Sequence, residues 1–131
     1  MERELYDRGL EKALQGDLKG AIQDFDQALQ INPQFAEAYY KRGVTRFDLG
    51  DNLGAIEDYT QALQINTESI ENYFGRSLAH LAQGDTQGAI EDFEAFIAQT
   101  DDKKQKSQRQ RWVKDLRAGK NSFTDEELKK L

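Results

Sequence analysis

The chain has 131 residues, enough for one domain or a short repeat array; 32% are charged, 37% are hydrophobic and the net charge is −6. It has no cysteine, which excludes disulfides, thiolate catalysis and Cys-based metal sites, and no apolar run nears the roughly 20 residues a membrane-spanning helix needs. The start, MERELYDRGL, is charged from its second residue, unlike a secretory signal, so a cytoplasmic protein is expected.

Residues 2–35 carry two apolar rhythms at helical spacing. Leu5, Tyr6, Gly9, Leu10 and Ala13 predict a first helix. Ala21, Ile22, Phe25, Ala28 and Leu29 predict a second, at the i, i+1, i+4, i+7, i+8 intervals of an amphipathic stripe. Between them, Gly16-Asp17 is a turn dipeptide, and its glycine is free to close the first helix in a left-handed conformation. Asn32-Pro33 ends the segment. Residues 36–69 repeat the pattern with Tyr39, Tyr40, Gly43, Val44 and Phe47, then Gly50-Asp51, then Ala55, Ile56, Tyr59, Ala62 and Leu63. Residues 70–103 repeat it again with Tyr73, Phe74, Ser77, Leu78 and Leu81, then Gly84-Asp85, then Ala89, Ile90, Phe93, Phe96 and Ile97. The strings GDLKGAIQDF, GDNLGAIEDY and GDTQGAIEDF start 34 residues apart. One such hairpin cannot bury its own stripe, so identical spacing predicts hairpins that stack on one another into a continuous core.

Charge divides the chain. Residues 1–100 hold 8 Lys+Arg against 18 Asp+Glu, whereas residues 101–131 hold 10 against 6. Within the basic tail, residues 104–119 predict a capping helix that lays Trp112, Val113 and Leu116 over the raw end of the third hairpin, beside Phe96 and Ile97. Residues 120–131 predict a short terminal helix: Thr124 caps it, Glu127 returns the bond, and Phe123 packs on Leu128.

A period of 34 with this content resembles the tetratricopeptide repeat (TPR) family. The matching residues are Tyr39, Gly43, Ala55, Tyr59 and Ala62 in the middle copy. The first copy matches at Gly9, Ala21, Phe25, Ala28 and Pro33, and the third at Tyr73, Ser77, Ala89 and Phe93. Leu5 stands in for the aromatic of the first copy, and the departures are Lys12, Arg46 and His80, where the family usually has an aromatic residue, Phe96 in place of the last small residue, and Thr67 and Asp101 in place of the closing proline. The resemblance covers residues 2–103 and implies an all-α solenoid of three helix–turn–helix hairpins. It also resembles repeats common in bacteria.

The family's inner, concave face is formed by the first helix of each repeat. The resemblance places Tyr6, Leu10, Tyr40, Lys41, Val44, Phe47, Phe74 and Leu78 along that face, with Glu37 and Glu71 nearby. It implies a groove for a peptide or helix of another protein, and the acidic body favours a basic one. Family members that grip the C-terminal carboxylate of a chaperone use Lys and Asn at positions held here by Tyr6, Leu10, Lys41, Glu71 and Gly75. Lys41 alone suits that task and Glu71 opposes it, so that partner is not expected.

Arg8, Arg42 and Arg76 recur at the same period, as do Asp24, Asp58 and Asp92; matched recurrence favours structural ion pairs over an anion-binding column. His80 is the only histidine, without a second ligand at metal spacing, so no metal or other cofactor is expected. The carboxylates sit on helix surfaces and no nucleophile is paired with a base, so the chain reads as an interaction adaptor or scaffold and not an enzyme. Two alternatives stay open. One is self-assembly, the chain otherwise being a monomer or weak homo-oligomer. The other is binding of nucleic acid or an anionic membrane surface through Lys103, Lys104, Lys106, Arg109, Arg111, Lys114, Arg117 and Lys120, which the acidic body disfavours.

Overall fold

The structure, a computed structural model, describes residues 1–120. Among these residues there are seven helices and no strand: α1 (Glu2–Leu14), α2 (Leu18–Ile31), α3 (Ala36–Asp48), α4 (Asn52–Ile65), α5 (Ile70–Ala82), α6 (Thr86–Gln99) and α7 (Lys103–Arg117). The basic helix thus starts one residue before the expected boundary of 104. The short helix expected over 120–131 lies outside the described residues apart from Lys120.

Each Gly-Asp dipeptide sets a corner. Gly16, Gly50 and Gly84 follow the first helices with φ of +86°, +86° and +80°, a conformation that a side chain would strain. Asp17, Asp51 and Asp85 then cap the second helices, each side chain accepting a hydrogen bond from the backbone N–H of Gly20, Gly54 or Gly88 at 2.9–3.0 Å. A Cβ at Gly20 would fall 2.2 Å from the Asp17 carboxylate, so the cap requires the second glycine of GDxxGA.

The hairpins α1–α2, α3–α4 and α5–α6 stack in sequence: α2 packs on α3, and α4 on α5. Along the stack the backbones of α1 and α3, and of α3 and α5, approach each other, while those of α2 and α4, like those of α4 and α6, stay further apart. The first helices therefore gather on an inner face and the second helices fan apart on the outer one. Ala21, Ala28, Ala55, Ala62 and Ala89 are wholly buried where backbones approach. Gly43 serves the same crossing, since a Cβ there would sit 3.0 Å from the Tyr59 ring.

Helix α7 closes the far end. Trp112, Val113 and Leu116 are buried in one cluster with Ala89, Ile90 and Phe93, against which Phe74, Leu78, Leu81 and Ile97 also pack. Asp102 starts this helix by accepting bonds from the N–H groups of Lys104 and Gln105. Among the described residues no helix is long and apolar enough to cross a membrane, and no group of His, Cys, Asp or Glu is arranged to hold a metal ion.

Candidate functional site

The recurring charges form a ladder inside the stack. Arg8 donates to both oxygens of Asp24 at 2.9 and 2.7 Å, Arg42 to both of Asp58 at 3.0 and 2.7 Å, and Arg76 to both of Asp92 at 2.9 and 2.8 Å. The remaining nitrogen of Arg42 reaches back to Asp26 of the preceding hairpin at 2.7 Å, and that of Arg76 to the Thr60 hydroxyl at 3.1 Å. The second and third rungs thus tie a hairpin internally and to the one before it. Arg8 keeps only its bonds within the hairpin, and its side chain is 55% exposed against 16% for Arg42.

The family departures Lys12, Arg46 and His80 have a shared explanation. Lys12 Nζ lies 3.1 Å from Asp24, Arg46 Nη1 donates to Asp58 at 3.0 Å, and His80 stands between Asp92 at 3.6 Å and Asp85 at 3.2 Å. A second cationic or polar ring group meets each buried carboxylate. The hydrogen bonds of Arg8 hold the Asp24 carboxyl below its ordinary range, against burial and with help from Lys12. Burial pushes the Asp58 carboxyl up, against the pull of Arg42 and Arg46.

On the inner face, Leu10, Tyr40, Val44, Phe47 and Leu78 are partly buried and pack on the core, and Lys41 is partly buried beside them. Tyr6 and Phe74 differ from the rest of the expected groove. Tyr6 is only 6% exposed, with its ring 5.0 Å from Phe35 and 5.9 Å from Phe25, so it belongs chiefly to the core. Phe74 lies beneath the cap, with Trp112 stacked at 6.5 Å and Phe96 at 5.9 Å. The open apolar strip therefore centres on Leu10, Tyr40, Val44 and Phe47.

The basic tail also needs correction as a continuous anion-binding surface. Arg109 is 3% exposed, its guanidinium carbon 4.4 Å from the Phe74 ring centre, 4.7 Å from Trp112 and 5.2 Å from Phe96. It completes the i, i+3, i+4, i+7 stripe with Trp112, Val113 and Leu116. Burial lowers its pKa, with Asp102 opposing. Arg117 is bonded to Glu94 of α6.

Beside the apolar strip is a cleft of about 340 Å3 between the starts of α3 and α5, lined by Tyr6, Glu37, Tyr40, Lys41, Glu71 and Asn72 among others. Burial, and then the nearby Glu71, pushes the Tyr40 hydroxyl up, so it remains a donor at neutral pH. Asn72 is a residue the sequence pattern did not single out; alanine holds the matching place, Ala38, one repeat earlier.

Residues 9–50 match a family model described as TPR repeat, and residues 36–69 one described as tetratricopeptide repeat. The first TPR of Spaghetti (RPAP3) bound to an HSP90 peptide is similar in structure, with a TM-score of 0.82 at 20% identity, covering 89% of this chain and 93% of that one. The TPR domain of Arabidopsis OM64 has a TM-score of 0.80 at 18% identity and covers 86% and 93%. PcrH in complex with the chaperone-binding region of PopD has a TM-score of 0.80 at 20% identity and covers 89% and 91%. No curated protein sequence matches the chain.

Proposed function

We propose that this chain, a tetratricopeptide repeat protein, holds a peptide or helix of another protein against its inner face. The observation that carries the reading is the partly exposed strip of Leu10, Tyr40, Val44 and Phe47 on the first helices, which no element of the described structure covers. An uncovered apolar strip with a rim of Lys41, Glu37 and Glu71 suits partner binding: the strip supplies buried area and the charged rim supplies orientation. Two structurally similar proteins are captured with such occupants, an HSP90 peptide and a segment of PopD. The acidic body favours a partner segment with positive charge. It disfavours an acidic chaperone tail, because Glu71 stands where that mode needs a cation or neutral donor.

The expected setting is the cytoplasm, the expected role is that of an adaptor without catalytic activity or cofactor, and the expected free state is a monomer or weak homo-oligomer. Neither self-assembly nor anionic-surface binding has an observation of equal weight behind it, and the burial of Arg109 with the pairing of Arg117 weakens the second.

The test is selection from a displayed random-peptide library by the full chain, with Val44→Asp as the counter-bait. Val44 is only partly buried, so the variant is expected to fold, which circular dichroism checks. Peptides retained by the wild type and lost by Val44→Asp support the groove. Peptides retained equally by both would place binding elsewhere.

A further inference from the structure

The stack repeats one local arrangement without its guanidinium. In the first hairpin Arg3 lays its guanidinium 4.9 Å from the ring centre of Phe35 and 5.3 Å from that of Tyr6, and donates to Glu37 at 3.3 Å. Advancing these four positions by one period gives Glu37 for Arg3, Tyr40 for Tyr6, Ser69 for Phe35 and Glu71 for Glu37. The aromatic ring and the carboxylate are kept. The guanidinium is replaced by a second carboxylate, and the bulk of Phe35 by a serine. What results is the 340 Å3 cleft at the start of α5.

Its wall holds an independent sign of an absent donor. Asn72 is 3% exposed; its Nδ2 donates to the Ser69 hydroxyl at 2.7 Å, while its Oδ1 has no hydrogen-bond donor among the described residues. A buried acceptor left unmatched costs free energy that an incoming donor can recover. Opposing charges are present too. Lys41 lines the cleft with its ammonium 5.4 Å from the Tyr40 ring centre, and Arg3 neutralises part of Glu37. Acceptors still predominate: two carboxylates and an amide oxygen against one ammonium within the lining.

We infer that this cleft receives an arginine side chain of the bound partner, its guanidinium stacked on Tyr40 and bonded to Glu71 and Glu37. Arginine is preferred to lysine because a planar fork can stack on a ring and bridge two carboxylates at once, as Arg3 stacks and bonds one hairpin earlier. The inference rests on the groove reading and adds to it the identity of one partner residue and its place.

The probe is Nα-acetyl-arginine methylamide, titrated into the isotope-labelled full chain beside its lysine and citrulline counterparts and followed by amide chemical shifts. The arginine probe moves Tyr40, Glu71 and Asn72 saturably. Citrulline, which keeps the shape and loses the charge, moves none of them, and lysine binds more weakly. Glu71→Gln weakens the arginine probe about fivefold, the scale of one exposed ion pair, and Lys41→Ala tightens it. Arg3→Ala frees the equivalent place beside Tyr6, so a second set of shifts appears at Phe35 and Glu37. An equal response to citrulline, a Glu71→Gln variant that titrates as the wild type, or shifts confined to outer helices would overturn the assignment. Library peptides that lack arginine yet depend on Val44 would leave the groove reading standing and remove this one. Arginine binding at Tyr40 without any Val44-dependent peptide would do the reverse.

Discussion

Replacing Asp58 by alanine should cost far more than the same change at Asp24, although the two carboxylates occupy equivalent places in successive hairpins. Asp58 is 1% exposed and accepts three hydrogen bonds, two from Arg42 and one from Arg46. Its removal strands Arg42, whose side chain is 16% exposed, with Asp26 as its remaining acceptor. Breaking a buried pair from one side costs about 3–5 kcal/mol. At Asp24 the main donor, Arg8, is 55% exposed and recovers water when its partner is lost, so about 1–2 kcal/mol is expected there. For a domain of this size each kcal/mol moves the melting midpoint by roughly 3–5 °C. Asp58→Ala should therefore melt at least about 10 °C lower than the wild type, and Asp24→Ala well above Asp58→Ala. Thermal and urea unfolding followed by helical circular dichroism measure both. Equal losses at the two sites would show that the deeper burial of Arg42 relative to Arg8 does not govern the energetics of the ladder. The double change Arg42→Met with Asp58→Leu should recover part of the loss, since it removes the most deeply buried charge, while Asp26 and Arg46, which lose a partner, are more exposed than Arg42.

Other outcomes follow from the same packing. Gly43→Leu should destabilise by about 1–3 kcal/mol, because even its Cβ would press on Tyr59 and on Asp58 at 3.3 Å; an unchanged melting midpoint would remove Gly43 from the crossing. Arg109→Met should leave thermal stability unchanged or raise it, because a buried guanidinium with no carboxylate partner among the described residues loses more by desolvation than its ring contacts return; a large drop in melting temperature would contradict this. Asp24 is ionised more readily in the folded chain than in the unfolded one, so its pairing stabilises above the ordinary carboxylate pKa of about 3.9 and is lost as pH falls through its lowered folded value. Asp24→Asn should therefore be less stable than the wild type at neutral pH. The gap should narrow below about pH 4, and a gap that stays constant with pH would exclude the linkage.

The hairpins were legible because their physics is local. Apolar intervals specify the helices, and Gly-Asp at a constant offset specifies the corners, which φ near +80° at Gly16, Gly50 and Gly84 requires. The second glycine of each GDxxGA was legible only as repetition, since its cause is contact with the capping aspartate. The inner face was harder to read. Periodicity gives the side of a helix a residue occupies but not what covers it, so Tyr6 beneath Arg3 and Phe35, and Phe74 beneath Arg109 and Trp112, looked as open as Val44. By its type Arg109 groups with the tail's candidate anion-binding residues, while its spacing from Trp112 and Leu116 puts it on the buried stripe. Lys12, Arg46 and His80 looked like departures from a family pattern and are second partners of buried carboxylates, a role visible only once α1 meets α2, α3 meets α4 and α5 meets α6.

The most direct measurement is an amide hydrogen-exchange comparison of the full chain, free and saturated with a peptide that it selects from the library. The account predicts that added protection falls on α1, α3 and the start of α5, around Leu10, Tyr40, Val44 and Phe47, with the outer helices α2, α4 and α6 nearly unchanged. Protection concentrated on the outer helices, or on the exposed lysines of α7, would contradict a partner held on the inner face.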